Sequence, residues 1–183
     1  ERMLAKLPWG VDLPLSPFFG VIGVAPPAAW GTISTIQPRA HGGNLDNKEL
    51  VAGTTLYLPV HAPGALFSAG AGHALQGEGE VCTTAIAPAL SGTFELHLRR
   101  GASLDLPRAE TPTHYITMAM DPDLDVCAKT ALRQMITLIQ EKANLSREDA
   151  YTLCSLAADM RVTQTVNQHK GIHFMLAKKA LHG

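Results

Sequence analysis

Prolines recur so closely at the start of this chain that no helix survives there. Pro8, Pro14, Pro17, Pro26 and Pro27 break any helical run between Glu1 and Ala29 and leave short pieces, of which Phe18 to Val24 reads as a buried strand. Phe18 and Phe19 at its start read as core, with a small-substrate pocket as the alternative. Trp30 to Pro38 continues as alternating β-type sequence. In Gly92 to Arg99, GTFELHLR, Phe94, Leu96 and Leu98 alternate with Glu95, His97 and Arg99, the pattern of a half-exposed antiparallel strand that puts His97 on the surface. Thr113 to Met120 is a further strand candidate.

Helical periodicity enters only late. Asp121 and Pro122 read as N-cap and first helical position, and Leu124, Ala128, Leu132, Met135, Ile136 and Ile139 then recur at the spacing of one buried face. Ser146, Arg147, Glu148 and Asp149 open a second helix with a capping-box pattern, and Ala150, Leu153, Cys154 and Ala157 form its inner stripe. The two make a helical hairpin, suited to a lid or an oligomer contact. Asp159 to Val166 and a last run through His173, Phe174 and Leu176 return to β character. Many short strands and two helices predict a mainly β fold, a β-sandwich or jelly-roll core with a helical hairpin near the C-terminus. With 183 residues, 46% of them hydrophobic, a single domain spanning residues 1–183 is expected.

Chemistry concentrates between Pro38 and Ile86. HGGNLDNKEL pairs His41 with Asp46 across Gly42 and Gly43, whose freedom allows a tight backbone path that turns both side chains toward one point. GAGHALQGEGEV follows with His73, Gln76, Glu78 and Glu80. Extended backbone puts Gln76, Glu78 and Glu80 on one face, and His73 joins them if the chain bends near Gly77. Two carboxylates that close repel, so a shared cation, a hydrogen-bond donor or a raised pKa is needed to hold them. Between the clusters, VAGTTLYLPVHAPGALFSAG suits buried strands that carry both to one pocket. Arg39 could orient a carboxylate or polarise a substrate oxygen, with a solvated loop-edge arginine as the plainer reading.

Other function classes are disfavoured. With 15 basic and 16 acidic residues and no basic run beyond two adjacent residues, nothing draws this surface to nucleic acid or anionic lipid. No apolar run is long enough to span a membrane. Cys82, Cys127 and Cys154 are isolated and odd in number, which fits buried thiols in a reducing, cytoplasmic compartment better than disulfides.

The blocks HGGNLDNKEL, LYLPVHAPGALFSAGAGHALQGEGEVCTTAI and SLAADMRVTQTVNQHKGIH resemble the acetamidase/formamidase family of metal-dependent amidases, over nearly the whole chain from about SPFFGVIGVAP onward. Two departures stand out. The family usually reads GDGHA, so Ala71 replaces an aspartate, and Ala87 stands where a glutamate usually follows CTTAI. The resemblance implies a CUB-like β-sandwich, a homo-oligomer, a divalent metal and hydrolysis of formamide or another short aliphatic amide. It also implies that this chain is the C-terminal portion of a longer protein, and that Asp159, Arg161 and Gln164 help frame the site. Asp159 and Arg161 read equally well as a structural ion pair.

Such an amidase needs a Lewis acid and a carboxylate that carries a proton to the leaving ammonia. His41, Asp46, His73 and Glu80 are the expected metal ligands, with Glu78 as acid/base. Glu78, Glu80 and His73 are therefore the catalytic candidates. Mixed imidazole and carboxylate ligands suit Zn²⁺, and an all-oxygen subset would suit Ca²⁺ or Mg²⁺. Two rivals accompany this expectation. One is a catalytically silent assembly or binding module, motivated by Ala71 and the missing N-terminal portion. The other is a Cys82 nucleophile, weighed against Cys82 as a small buried hydrophobe in Val81 to Ile86.

Overall fold

The computed structural model describes residues 3–181. In chain order they form β1 (Leu4–Lys6), β2 (Asp12–Pro14), β3 (Phe18–Gly23), β4 (Gly42–Asn44), β5 (Thr55–Tyr57), β6 (Ser68–His73), β7 (Arg108–Glu110) and β8 (His114–Asp121). They continue through α1 (Leu124–Ala143), α2 (Arg147–Ala157), β9 (Ala158–Gln164) and β10 (Lys170–Ala177). Strands pair antiparallel into three sheets, with orders β1-β2, β4-β3-β6 and β5-β7-β8-β10-β9. The fold is mainly β with a helical pair, as the alternation and the late helical periodicity predict.

Alternation along β8 and β10 builds a layer on each side of the five-stranded sheet. Tyr115, Ala119, Ile172, Phe174 and Leu176 face the helices and bury against Cys127, Ala131, Met135, Ile136 and Ile139 of α1 and Ala150 and Cys154 of α2. Thr117 also faces that way and satisfies its hydroxyl by donating to the Ala131 carbonyl at 2.9 Å. Ile116, Met118 and Met175 face the other way, where Ala109, Leu45 and Leu50 complete a second cluster. Leu45 and Leu50 bracket the Asp46–Glu49 segment, so burying them anchors a polar loop on the sheet. The helical hairpin is therefore part of the main core, laid on the sheet.

Several boundaries differ from expectation. Helix α1 is capped by Asp123, whose carboxylate accepts from the Asp125 and Val126 amides at 2.8 and 3.4 Å, while Asp121, two residues earlier, accepts from the Asp123 amide. Asn144 closes the helix in the left-handed region at φ 51°. Ser146 caps α2 by accepting from the Asp149 amide at 3.0 Å. Removing the α1 cap with Asp123→Ala is expected to lower stability by about 1 kcal/mol, read as a shift in the urea midpoint at unchanged m-value.

Gly92 to Arg99 is not a strand, despite its alternation. Its residues are exposed and form no ladder, because no neighbouring strand among the described residues offers it hydrogen bonds; Phe94 packs on Phe19 and Phe67, and Arg99 lies over the Tyr57 ring at 4.7 Å. Trp30 to Pro38 likewise forms no strand, running through bends after a 3-10 turn at Ala28–Trp30. His97 is on the surface, beside Glu95. No helix among the described residues is long and apolar enough to cross a membrane.

Candidate metal-binding site

Strand β3 lies at the centre of the three-stranded sheet, paired with β6 through Phe18–His73 and Phe19–Gly72 and with β4 through Val21–Asn44. This arrangement brings the end of β6 and the residues just after β4 to the same place. Phe18 packs edge-on against the His73 ring with centroids 5.2 Å apart. The Asp46 amide donates to the Gly20 carbonyl at 3.0 Å. The third arm is the Glu78–Glu80 turn, which is pinned to the end of β9: Gly79 donates to Val162 at 2.9 Å and accepts from the Thr165 amide at 3.0 Å.

Asp46, His73 and Glu80 converge here, all buried, with one candidate ligand atom from each within 4.8 Å of the others. Asp46 and Glu80 both sit at positive φ, 46° and 44°, a conformation that costs L residues energy and is held by the surrounding structure. One Asp46 oxygen accepts from Asn167 Nδ2 at 2.5 Å, while Asp46 Oδ1 and Glu80 Oε2 are buried without a hydrogen-bond partner. Burial raises the Asp46 carboxyl pKa, with the hydrogen bond from Asn167 opposing. Burial and then the Asp46 charge raise Glu80 as well, with His73 opposing.

The close approach of these donors depends on a missing side chain. A Cβ on Gly20 would lie 2.4 Å from Asp46 Oδ1 and 3.0 to 3.2 Å from His73 Cε1 and Nε2. One imidazole and two carboxylates with orphaned oxygens, brought together where Gly20 carries no side chain, fit a divalent cation, whose charge would offset the cost of burying two acids.

Gln76 ties the arms together. It donates through Nε2 to the Asp46 carbonyl at 2.7 Å, and its Oε1 lies 2.8 Å from His73 Nδ1. Gln76 also lines a cleft of about 220 Å³ with Ser16, Lys48, Glu49 and Leu75. Gln164, fully buried, accepts from the Val166 and Asn167 amides and so presents Asn167 to Asp46.

His41 does not join this group. Gly42 and Gly43, at φ 88° and 86°, reverse the backbone and leave the His41 ring edge-on to Trp30, 6.0 Å between centroids. Burial lowers its pKa, followed by His61 and Arg39. Arg39 lies over the Trp30 ring at 5.4 Å, away from any carboxylate of the site.

Glu78 belongs to a second, more open group with Glu49 and His173. Lys48 is 3.4 Å from Glu78, and Arg161 is 3.0 Å from Glu49 and 3.3 Å from Asp159, so these acids already hold cations and form an ion-pair network. Burial nevertheless leaves the Glu78 pKa raised, ahead of the opposing Lys48. His173 is fully buried in β10, in contact with Thr163 at 2.7 Å through Nδ1, and burial, then Arg161 and Lys48, push its pKa down to about 3.

Ala71 is exposed on β6 at φ 49°, a left-handed position that aspartate or asparagine tolerates better than alanine. It contributes nothing to the ligand group. Cys82 is exposed, a correction to its expected burial, because Val81 to Ser91 runs over the surface; Cys127 and Cys154 are buried free thiols. Gly20 and Asn167, which shape and orient the group, carried no sequence signal of their role.

A sequence model of the Acetamidase/Formamidase family matches residues 24–176. A formamidase of Methylophilus methylotrophus is 45% identical over 47 residues, and an acetamidase of Mycolicibacterium smegmatis 43% identical over 47; each stretch is 26% of this chain and 12% of the relative. Among solved structures, an acetamidase from Bacillus halodurans superposes with TM-score 0.86 at 39% identity, over 94% of this chain and 59% of that one. An acetamidase from Yersinia enterocolitica gives 0.84 at 28% identity, over 94% and 52%. The chain thus spans a little over half the length of these solved relatives.

Proposed function

The chain belongs to the acetamidase/formamidase family, and from that premise we propose that it hydrolyses formamide or another short aliphatic amide to the carboxylate and ammonia, with a divalent ion held by Asp46, His73 and Glu80. What supports this most directly is that convergence, with its two orphaned carboxylate oxygens. Zn²⁺ is the first choice for this mixed donor set, with Ca²⁺ or Mg²⁺ as alternatives. Bound there, the ion supplies Lewis-acid polarisation of the amide carbonyl and of water.

The chain's own groups account for the rest. The cleft beside Gln76 is small, which suits a short amide. Glu78, exposed at the edge of the site with a raised pKa and held by Lys48 at 3.4 Å, takes a proton from water and returns it to the departing nitrogen. Water adds to the carbonyl carbon, the C–N bond breaks, and the products are a carboxylate and ammonium. Lys48, at the same cleft, is positioned to offset negative charge on the carbonyl oxygen. A homo-oligomeric, cytoplasmic setting forms part of the same proposal.

Ammonia release from formamide and acetamide, with and without a chelator, is the test. Release that stops on chelation and returns with added Zn²⁺ is the expected result. No release under any divalent ion would leave the silent assembly module in its place, and release indifferent to chelator but lost in Cys82→Ala would favour the thiol.

A further inference from the structure

We propose that Gln76 is a positioning residue that fixes the tautomer of His73: it holds the ring proton on Nδ1 and so leaves the lone pair on Nε2, at the ring edge that borders Gly20. The argument starts from groups whose hydrogen-bonding roles admit no choice. The Asp46 carbonyl can only accept, so the Gln76 atom 2.7 Å away is the amide NH₂. That fixes the amide orientation and points Oε1 at His73 Nδ1, 2.8 Å away. Oε1 also only accepts, so Nδ1 must donate, and on the neutral ring Nε2 carries the lone pair.

Among the described residues, no other group competes for that proton. Asp46 Oδ1 is 3.8 Å from Nδ1, too far for a hydrogen bond, and Phe18 meets the ring edge-on without a polar atom. The Cε1–Nε2 edge of the ring and Asp46 Oδ1 both border the volume that a Gly20 Cβ would occupy. A lone pair there is a ligand; an N–H there would repel a cation. Gln76 therefore decides whether His73 can serve, and the same side chain locks the ring to the Asp46 backbone, which fixes the separation of the two donors.

The inference rests on Asp46, His73 and Glu80 holding a divalent ion, but the tautomer can be read without one. In the metal-free protein labelled with ¹⁵N-histidine, long-range ¹H–¹⁵N correlations distinguish the protonated ring nitrogen from the unprotonated one, with His73 assigned by the loss of its signals in His73→Gln. Wild type is expected to show Nδ1–H. Gln76→Met, which removes the acceptor, is expected to give Nε2–H or a mixture, and to bind Zn²⁺ about 10- to 100-fold more weakly by calorimetry. Gln76→Glu keeps an acceptor against Nδ1 while losing the donor to Asp46, so it is expected to retain Nδ1–H even where its melting temperature falls. A purely structural Gln76 would lower both melting temperatures without moving the tautomer. Nδ1–H persisting in Gln76→Met, or Nε2–H in wild type, overturns the proposal. The expected tautomers together with no Zn²⁺ binding by wild type would instead remove the metal premise and leave the clamp standing. Should Gln76→Met fail to fold, the wild-type and Gln76→Glu spectra decide, since Nε2–H in either one overturns the assignment.

Discussion

Gly20→Ala is expected to weaken divalent-ion binding by at least about 100-fold and to remove metal-dependent amide hydrolysis, while the chain still folds. The added methyl would sit 2.4 Å from Asp46 Oδ1, closer than any Cβ contact can remain, and against the Cε1–Nε2 edge of His73. One of the two donors must then move. Neither moves cheaply, because Asp46 is held by Asn167 and by Gly20 itself, and His73 by Gln76 and Phe18. Strand β3 does not need glycine at this position for its backbone, since no left-handed φ occurs there, so alanine should leave the sheet paired. Gly70→Ala, on the neighbouring β6 strand, is the control: its Cβ would meet nothing within 4 Å, and binding should be unchanged. Calorimetric titration with Zn²⁺ alongside a thermal melt separates the outcomes. Unaltered affinity in a folded Gly20→Ala protein would show that the ion, if bound, sits elsewhere.

The second large effect is acid lability at His173. Its folded pKa lies near 3 because burial and the nearby Arg161 and Lys48 disfavour the imidazolium, whereas the unfolded ring titrates at the ordinary 6.5. A depressed folded pKa contributes stability that is present above the unfolded value and lost as pH falls toward the folded one. Each pH unit below 6.5 should therefore cost about 1.4 kcal/mol until the folded ring takes its proton near 3. Asp46 and Glu80 act in the opposite sense when no metal is bound: their raised pKa values stabilise the fold at low pH and lose that contribution as pH rises through the folded values. Comparing wild type with His173→Gln by urea denaturation across pH 4.5 to 7.5 cancels the carboxylate contribution. Wild type should lose about 2 to 3 kcal/mol more than the variant between pH 6.5 and 4.5. Parallel curves would mean that the folded ring takes its proton at the same pH as the unfolded one, with Glu78 at 4.0 Å offsetting the cost of burial.

Local pattern carried much of this molecule. Alternation along His114–Asp121 and Lys170–Ala177 and the apolar face of Leu124–Ala143 are enforced residue by residue, because each side chain's burial depends on its own neighbours in sequence. The same logic fails at GTFELHLR, where alternation is present but no strand among the described residues lies beside it to accept hydrogen bonds.

The sequence by itself determined which ionisable residues were available: Asp46, His73 and Glu80 stand among glycines in one stretch, and the family blocks run through them. It could not determine which of them meet. His41 sits five residues from Asp46 yet is turned away by Gly42 and Gly43, whereas Gly20 and Asn167, 26 residues before and 121 after Asp46, border its carboxylate. The reason is geometric. Whether two side chains share a point depends on strand register and on which face each strand presents, and those are set by β3 pairing between β4 and β6 and by the Glu78–Glu80 turn docking on β9, contacts that only the folded chain makes.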